Sequence, residues 1–315
     1  MLQIYYAFSV VFPLIAIMGI GYGLGIHGFL STEYTTVANK LVFKVLLPVL
    51  LFYNLYKSEV SIMDQSAMIF FVSVAVLVLI AVLYLAVPGF VRDDHRRGVV
   101  IQAVYRSNFL IIAVPVIESV YGASGTVSAI LLNAVLSPLF NATAVVVLTL
   151  YATAGQGGGG SGRILRSILT NPPIIGTVAG ILFHSAKIVL PGFVETTLAL
   201  ISQAVIPVAL LTLGSSFRFR NARQNRRILA GVMAVKFLLV PLVIGFAAFL
   251  LGFRQLELLS ILMVFVSPVA ILSYVMTQEF GGDSELAGQL VVFSSVVSMF
   301  AIFALIVILK TLALL

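Results

Sequence analysis

Apolar runs of about twenty residues alternate with short polar breaks along the whole chain, the pattern of transmembrane helices. Ten such runs can be placed, at roughly 4–25, 37–56, 66–88, 98–121, 126–151, 168–189, 194–215, 228–252, 256–280 and 286–310. A transmembrane β-barrel would show alternating segments of about ten residues instead, and none is visible. Two of the runs are interrupted. The fourth, GVVIQAVYRSNFLIIAVPVIESVYG, holds Gln102, Arg106, Ser107 and Asn108 in one cluster and then Pro115. Proline lacks the backbone donor and clashes with the preceding turn, so a kink or break is expected at Pro115. Arg106 lies nine residues past Arg97, about 13 Å along a helix axis, deep enough to reach the hydrocarbon. The ninth run, SILMVFVSPVAILSYVMTQEFGG, is interrupted around Ser267-Pro268 and carries the polar pair Ser273-Tyr274. Backbone freed by such breaks is tolerated only inside protein or beside a water-filled cavity, which makes interrupted polar spans pointers to a transport site.

The two halves repeat. Pro13 and Pro172 are 159 residues apart, and so are Gly21 and Gly180, Pro48 and Pro207, and Gly122 and Gly281. At this offset LPVLL (47–51) faces IPVAL (206–210), and Asn108 faces Ser267. Five spans per half is an odd number, so the second half is expected to enter the membrane inverted, as in alternating-access carriers. The division is 1–154, a linker at 155–163, and 164–315. The linker's GQGGGGSG is flexible by composition. GGGGS also has the look of an engineered joint, and both readings are open.

Composition sharpens the class. Of 315 residues, 61% are hydrophobic and 9% charged, against roughly 25% charged in a soluble protein. There is no cysteine, so neither disulfides nor thiolate metal sites form. The first run lacks a basic leader and reads as a span, not a cleaved signal. The net charge of +7 falls between the apolar runs, which fits topology signals better than nucleic-acid binding. With both termini outside, the inner loops hold ten basic residues and the outer segments four, and the positive-inside rule favours that orientation. The stretch 217–227 is the strongest inner marker, an anchor on anionic lipid headgroups or a regulatory lipid site.

Five segments stand in order along the chain: KLVFKVLLPVLLFYNL in span two, SNFLIIAVPVIESVYG in span four, NPPIIGTVAGILF in span six, IPVALLTLGSSF in span seven, and SPVAILSYVMTQEFGGDSELAGQLVVFSSVVS across spans nine and ten. Together they resemble the auxin efflux carrier family, which includes plant PIN proteins and many bacterial transporters. The similarity covers essentially the whole chain. It implies an all-α membrane protein of ten helices as two inverted five-helix repeats, the fold shared with bile-acid–sodium symporters. Spans 1, 2, 6 and 7 would form a scaffold, spans 3–5 and 8–10 a transport unit, with broken spans 4 and 9 crossing. It implies a secondary carrier, an efflux carrier of organic anions such as carboxylates, without nucleotide hydrolysis, in the plasma membrane (the inner membrane of a bacterium). The family's span-four asparagine falls on Asn108. Three departures argue against an auxin-type substrate: apolar Leu272, Phe109 after the asparagine, and no acidic–basic pair in span three.

Candidate substrate contacts are Asn108, Arg106, Ser107, Ser267, Ser273 and Tyr274 at the crossing, with Lys44 and Gln203 facing it from repeat-equivalent scaffold positions. Pro115, Pro268, Pro48 and Pro207 are the expected helix breaks. A guanidinium beside a broken helix can hold a carboxylate through two parallel bonds; alternatively Arg106 snorkels to the interface or bonds a carbonyl. Lys44 and Gln203 fit lipid-facing or helix-packing roles equally well. Lys236 reads as a structural or counter-ion charge. Glu118 and Glu279 fit interfacial solvation or ion coupling. His27, His95 and His184 lie apart, so no metal site is expected, and no cofactor. The sequon Asn141-Ala-Thr143 lies inside span five and is not expected to carry glycan. GGGG lacks the GK[ST] of a P-loop, which argues against an ATP-driven pump. An enzyme is disfavoured, because no cluster of His, Asp and Glu lies in the spans. The competing functions are a sodium-coupled symporter of the bile-acid type and a membrane ligand or lipid sensor. Partners are a small organic anion and membrane lipid, with proton, sodium or no coupling ion open. Gly-rich GIGYGLG predicts close helix packing and leaves a homodimer open.

Overall fold

The computed structural model describes residues 2–57, 65–154, 169–218 and 222–315. The linker at 155–163 and the inner-loop residues Arg163, Arg166 and Arg220 lie outside them. Twelve helical segments follow one another: α1 Leu2–Ile26, α2 Thr32–Tyr56, α3 Ser66–Phe90, α4 Asp94–Tyr105, α5 Phe109–Tyr121, α6 Thr126–Ala154, α7 Pro172–Ser185, α8 Gly192–Ser216, α9 Arg226–Leu250, α10 Gln255–Val266, α11 Leu272–Glu279 and α12 Ser284–Thr311. Among the described residues there is no strand, only one antiparallel bridge between Ser107 and Val269. Among the described residues six helices, α2, α3, α6, α8, α9 and α12, are long and apolar enough to cross a membrane.

Local chemistry sets the ends. Ser31, Asp93 and Asp283 each cap a helix by accepting a backbone N–H, from Tyr34, His95 and Leu286, filling donors that a first turn leaves free. Gly122 and Gly281 close α5 and α11 at φ of 75° and 70°, where a side chain would be strained. These two are 159 residues apart, like the ends of α1 and α7. Element lengths recur too: α2 and α8 both have 25 residues, α3 and α9 both 25, and α4 and α10 both 12.

The breaks differ from those expected at the prolines. Pro115 sits inside an unbroken α5, and Pro207 inside an unbroken α8. Pro48 follows a wide π turn, Val42–Leu46, within α2, and Pro241 follows another, Val235–Leu239, within α9. The extra residue in such a turn relieves the clash of a proline ring with the turn before it. Only Pro268 lies in a real gap, where Ser267 before it is extended, as a residue preceding proline prefers. The other gap is at Arg106–Asn108. Tertiary pairing opens that gap, with no proline in it.

Close helix approach holds α1, α2, α7 and α8 together. A side chain at Gly21 or Gly214 would strike the backbone of Leu211 or Met18, which sets α1 directly on α8. Gly176 and Gly180 likewise lie on Pro48 and Phe52, setting α7 on α2. The buried core of the remaining helices centres on α10, whose residues Leu258–Val266 are all buried.

Candidate functional site

Two broken helices meet at the gaps. Backbone polar groups freed inside an apolar core need partners, and several at the gaps find them. Asn108 N–H donates to Pro268 O at 2.9 Å beside the Ser107–Val269 bridge. Val269 N–H donates to Ser294 Oγ at 3.0 Å. Ser107 Oγ donates to Val264 O at 2.5 Å, and Ser267 Oγ to Met263 O at 2.6 Å. Lys236 Nζ, on a fully buried side chain, donates to Val104 O at 3.2 Å. That ammonium lies at the C-terminal end of α4, where cations are favoured.

Arg106 does not snorkel; its side chain is 2% exposed. Nη2 donates to Asn141 Oδ1 at 2.6 Å, while Nη1 donates to Gln102 Oε1 at 3.2 Å and to Met276 Sδ at 2.9 Å. Nε has no partner. Among the described residues neither Arg106 nor Lys236 forms an ion pair, and their acceptors are neutral. Asn108 is half-buried at the start of α5, and its side chain makes no capping bond. An amide left free at a helix N-terminus suits an anionic group.

A cavity of about 330 Å³ opens between α2, α5 and α6, lined by Asn54, Lys57, Leu110, Asn133, Ala134, Ser137 and Pro138 among others. Its wall leads towards the crossing: Asn141 Nδ2 donates to Ser137 O at 2.8 Å, and Asn141 in turn holds Arg106. Lys57 at the mouth is paired with Glu195 at 2.6 Å. That hydrogen-bonded carboxylate holds the exposed Lys57 ammonium above the ordinary lysine range.

The opposite side is closed. Asn39 on α2 is buried, accepts from Thr212 Oγ1 of α8 at 2.8 Å, and donates to Gln278 Oε1 and, at 3.4 Å, to Tyr274 Oη of α11. Phe43 and Phe280 meet edge to face at 5.9 Å, and Lys44 lies 3.9 Å from Glu279.

The gaps therefore bring Arg106, Ser107, Asn108, Ser267 and Pro268 together. Ser273 is buried on α11 with its hydroxyl unpartnered, and Tyr274 turns to Asn39. Lys44 and Gln203 are exposed away from the crossing; Lys44 belongs to the closed seam. Sequence reasoning missed Asn39, Thr212 and Gln278, and treated Asn141 only as a sequon. A buried amide in the middle of an apolar span was the available signal for Asn141.

Similarity to known proteins runs along the same length. Residues 6–156 and 161–306 match the membrane transport protein family. An uncharacterized transporter of Methanothermobacter thermautotrophicus is 26% identical over 293 residues, 92% of this chain and 94% of its own. One of Methanocaldococcus jannaschii is 21% identical over 306 residues, 93% of this chain and 96% of its own. With both halves matched and six helices able to span a bilayer, the chain belongs to the membrane transport protein family, that of the auxin efflux carriers.

Proposed function

We propose that the protein is a secondary transporter of small organic anions, carboxylates among them, working by alternating access. In this reading α4 with α5 and α10 with α11 are single broken spans, giving ten spans in two inverted halves with both termini outside. The recurring helix lengths and the matched ends of the halves support the repeat. The close-packed α1, α2, α7 and α8 serve as scaffold, and α3–α6 with α9–α12 as the moving unit. One observation carries the mechanism: a cavity reaches towards the crossing from one side while the other side is shut between the same two units. Substrate enters beside Lys57 and meets Asn108 and the helix ends, and Arg106 supplies the charge. Desolvating an anion without donors or a cation is costly, and the crossing has both.

The test is uptake of mono- and dicarboxylates into proteoliposomes, with and without proton and sodium gradients. Asn108→Ala should lower affinity by about 1–3 kcal/mol, roughly 5- to 150-fold. Unchanged uptake in that variant moves the substrate away from the crossing. Failure of the parent protein to take up any carboxylate rejects the substrate class.

The closed seam is the inner gate in this reading. Opening it strips Asn39 of its partners on α11, Gln278 and Tyr274, and each buried polar group left unpaired costs about 1–3 kcal/mol. Asn39→Ala should therefore loosen the gate. A cysteine at Phe43, in a chain that has no cysteine of its own, should then react with a permeant maleimide roughly tenfold faster. An unchanged rate means that Asn39 does not hold the seam.

A further inference from the structure

Arg106 is charged at any pH a membrane protein meets, so the oxygens around it decide how much of that charge is felt elsewhere. Both oxygens that it bonds are amide oxygens, Asn141 Oδ1 and Gln102 Oε1. Amides orient the guanidinium as carboxylates would, with similar hydrogen bonds, yet cancel none of its net charge. The Asn141 amide also spans the distance to the cavity, because its Nδ2 donates to the carbonyl of Ser137, a lining residue. Lys236, bonded only to a carbonyl, adds a second uncancelled cation at the end of α4. The nearest cation at the cavity mouth, Lys57, is by contrast neutralised by Glu195.

We infer that Asn141 and Gln102 determine the cavity's selectivity: by holding Arg106 on neutral oxygens they leave the cavity floor positive, so that it admits anions and excludes cations. The inference rests on the cavity being the substrate's way in, as proposed above. Burial strengthens the effect, since a charge in a low-dielectric wall is screened far less than one in water. A carboxylate at either position would form an internal ion pair and occupy Arg106 with a built-in anion.

The experiment needs no substrate. Ser137→Cys places a thiol in the lining, and its reaction with anionic methanethiosulfonate ethylsulfonate is compared with that of cationic methanethiosulfonate ethyltrimethylammonium, each rate divided by that with a free thiol. The anionic reagent should win by on the order of tenfold. Asn141→Asp should remove most of the preference, leaving the smaller part that Lys236 supplies. Gln102→Glu should do the same without disturbing the packing, because the Gln102 Nε2 that it removes has no partner to lose. Asn141→Ala keeps the preference, since it removes a hydrogen bond and no charge; a purely structural role would make Ala and Asp act alike. Equal reagent rates in the parent overturn the inference, and so does a preference that neither carboxylate diminishes. Loss of the preference in Asn141→Ala overturns the role given to Asn141. Carboxylate uptake is a separate measurement, so failure of the transport reading is distinguishable from failure of this one.

Discussion

Arg106→Gln should give a protein at least as stable as the parent that has lost most of its anion transport. A buried cation bonded only to neutral groups is held at a cost of several kcal/mol in desolvation. Glutamine keeps two donors on a shorter side chain, and it sheds the charge. Thermal or denaturant stability should stay level or rise, by about 1–3 kcal/mol. Anion affinity should fall by on the order of a hundredfold, as when a charged hydrogen-bonding partner is removed. Neutral analogues should lose much less. Arg106→Lys separates the two possible contributions, because it keeps a point charge and loses the planar fork. The checks are melting temperature in detergent and uptake at equal amounts of folded protein. A variant that is destabilised yet transports normally would show that Arg106 is structural, and the anion would then depend on helix ends and Asn108.

Gly214→Val should prevent folding altogether. The first atom of any side chain at this position falls on the backbone of Met18, and a backbone cannot rotate out of the way as a side chain can. Overpacking a core costs about 1–3 kcal/mol when side chains can adjust, and separating α1 from α8 costs more. Gly23, also on α1, has nothing within 4 Å of its would-be side chain, so Gly23→Val serves as control and should express normally. The measurement is the yield of monodisperse protein after size exclusion. Equal yields of the two variants would mean that α1 and α8 do not meet as described.

The helices were legible because each apolar run is long and the bilayer demands uninterrupted backbone pairing. The 159-residue offset rests on glycines and prolines, which mark close approaches and turns that hydrophobic exchange does not blur. The first gap was marked twice, at Pro115 and at the polar cluster around Asn108 that the 159-residue offset sets against Ser267, and only the second mark coincides with it. Pro115 is the only helix breaker between Gly98 and Gly122, yet the chain leaves the helix at Arg106, where Pro268 and Val269 of a distant segment supply partners. Long-range pairing of that kind shows locally only as polar residues in an apolar run, here Arg106 to Asn108. Asn108 and Arg106 stood out because they are polar in an apolar run. Lys44 and Gln203 stood out for the same reason, yet sit elsewhere, since a position along a span does not fix the direction a side chain takes. Asn39 was hidden in the polar first turns of α2, where a buried amide and a solvated one look alike.

The π turns in α2 and α9 have a mechanical consequence. Each holds one residue more than a regular turn would, and sliding such a surplus along a helix by one position turns the residue it passes by about 100°. A helix built this way has rotational slack at its centre and fixed ends. In α9 the surplus lies at Lys236, whose ammonium touches the carbonyl of Val104 beside the first gap. In α2 it lies at Phe43 and Lys44 in the closed seam. In the proposed transport cycle, motion at the crossing and at the seam could thus be taken up by twisting within a helix, without displacing its ends.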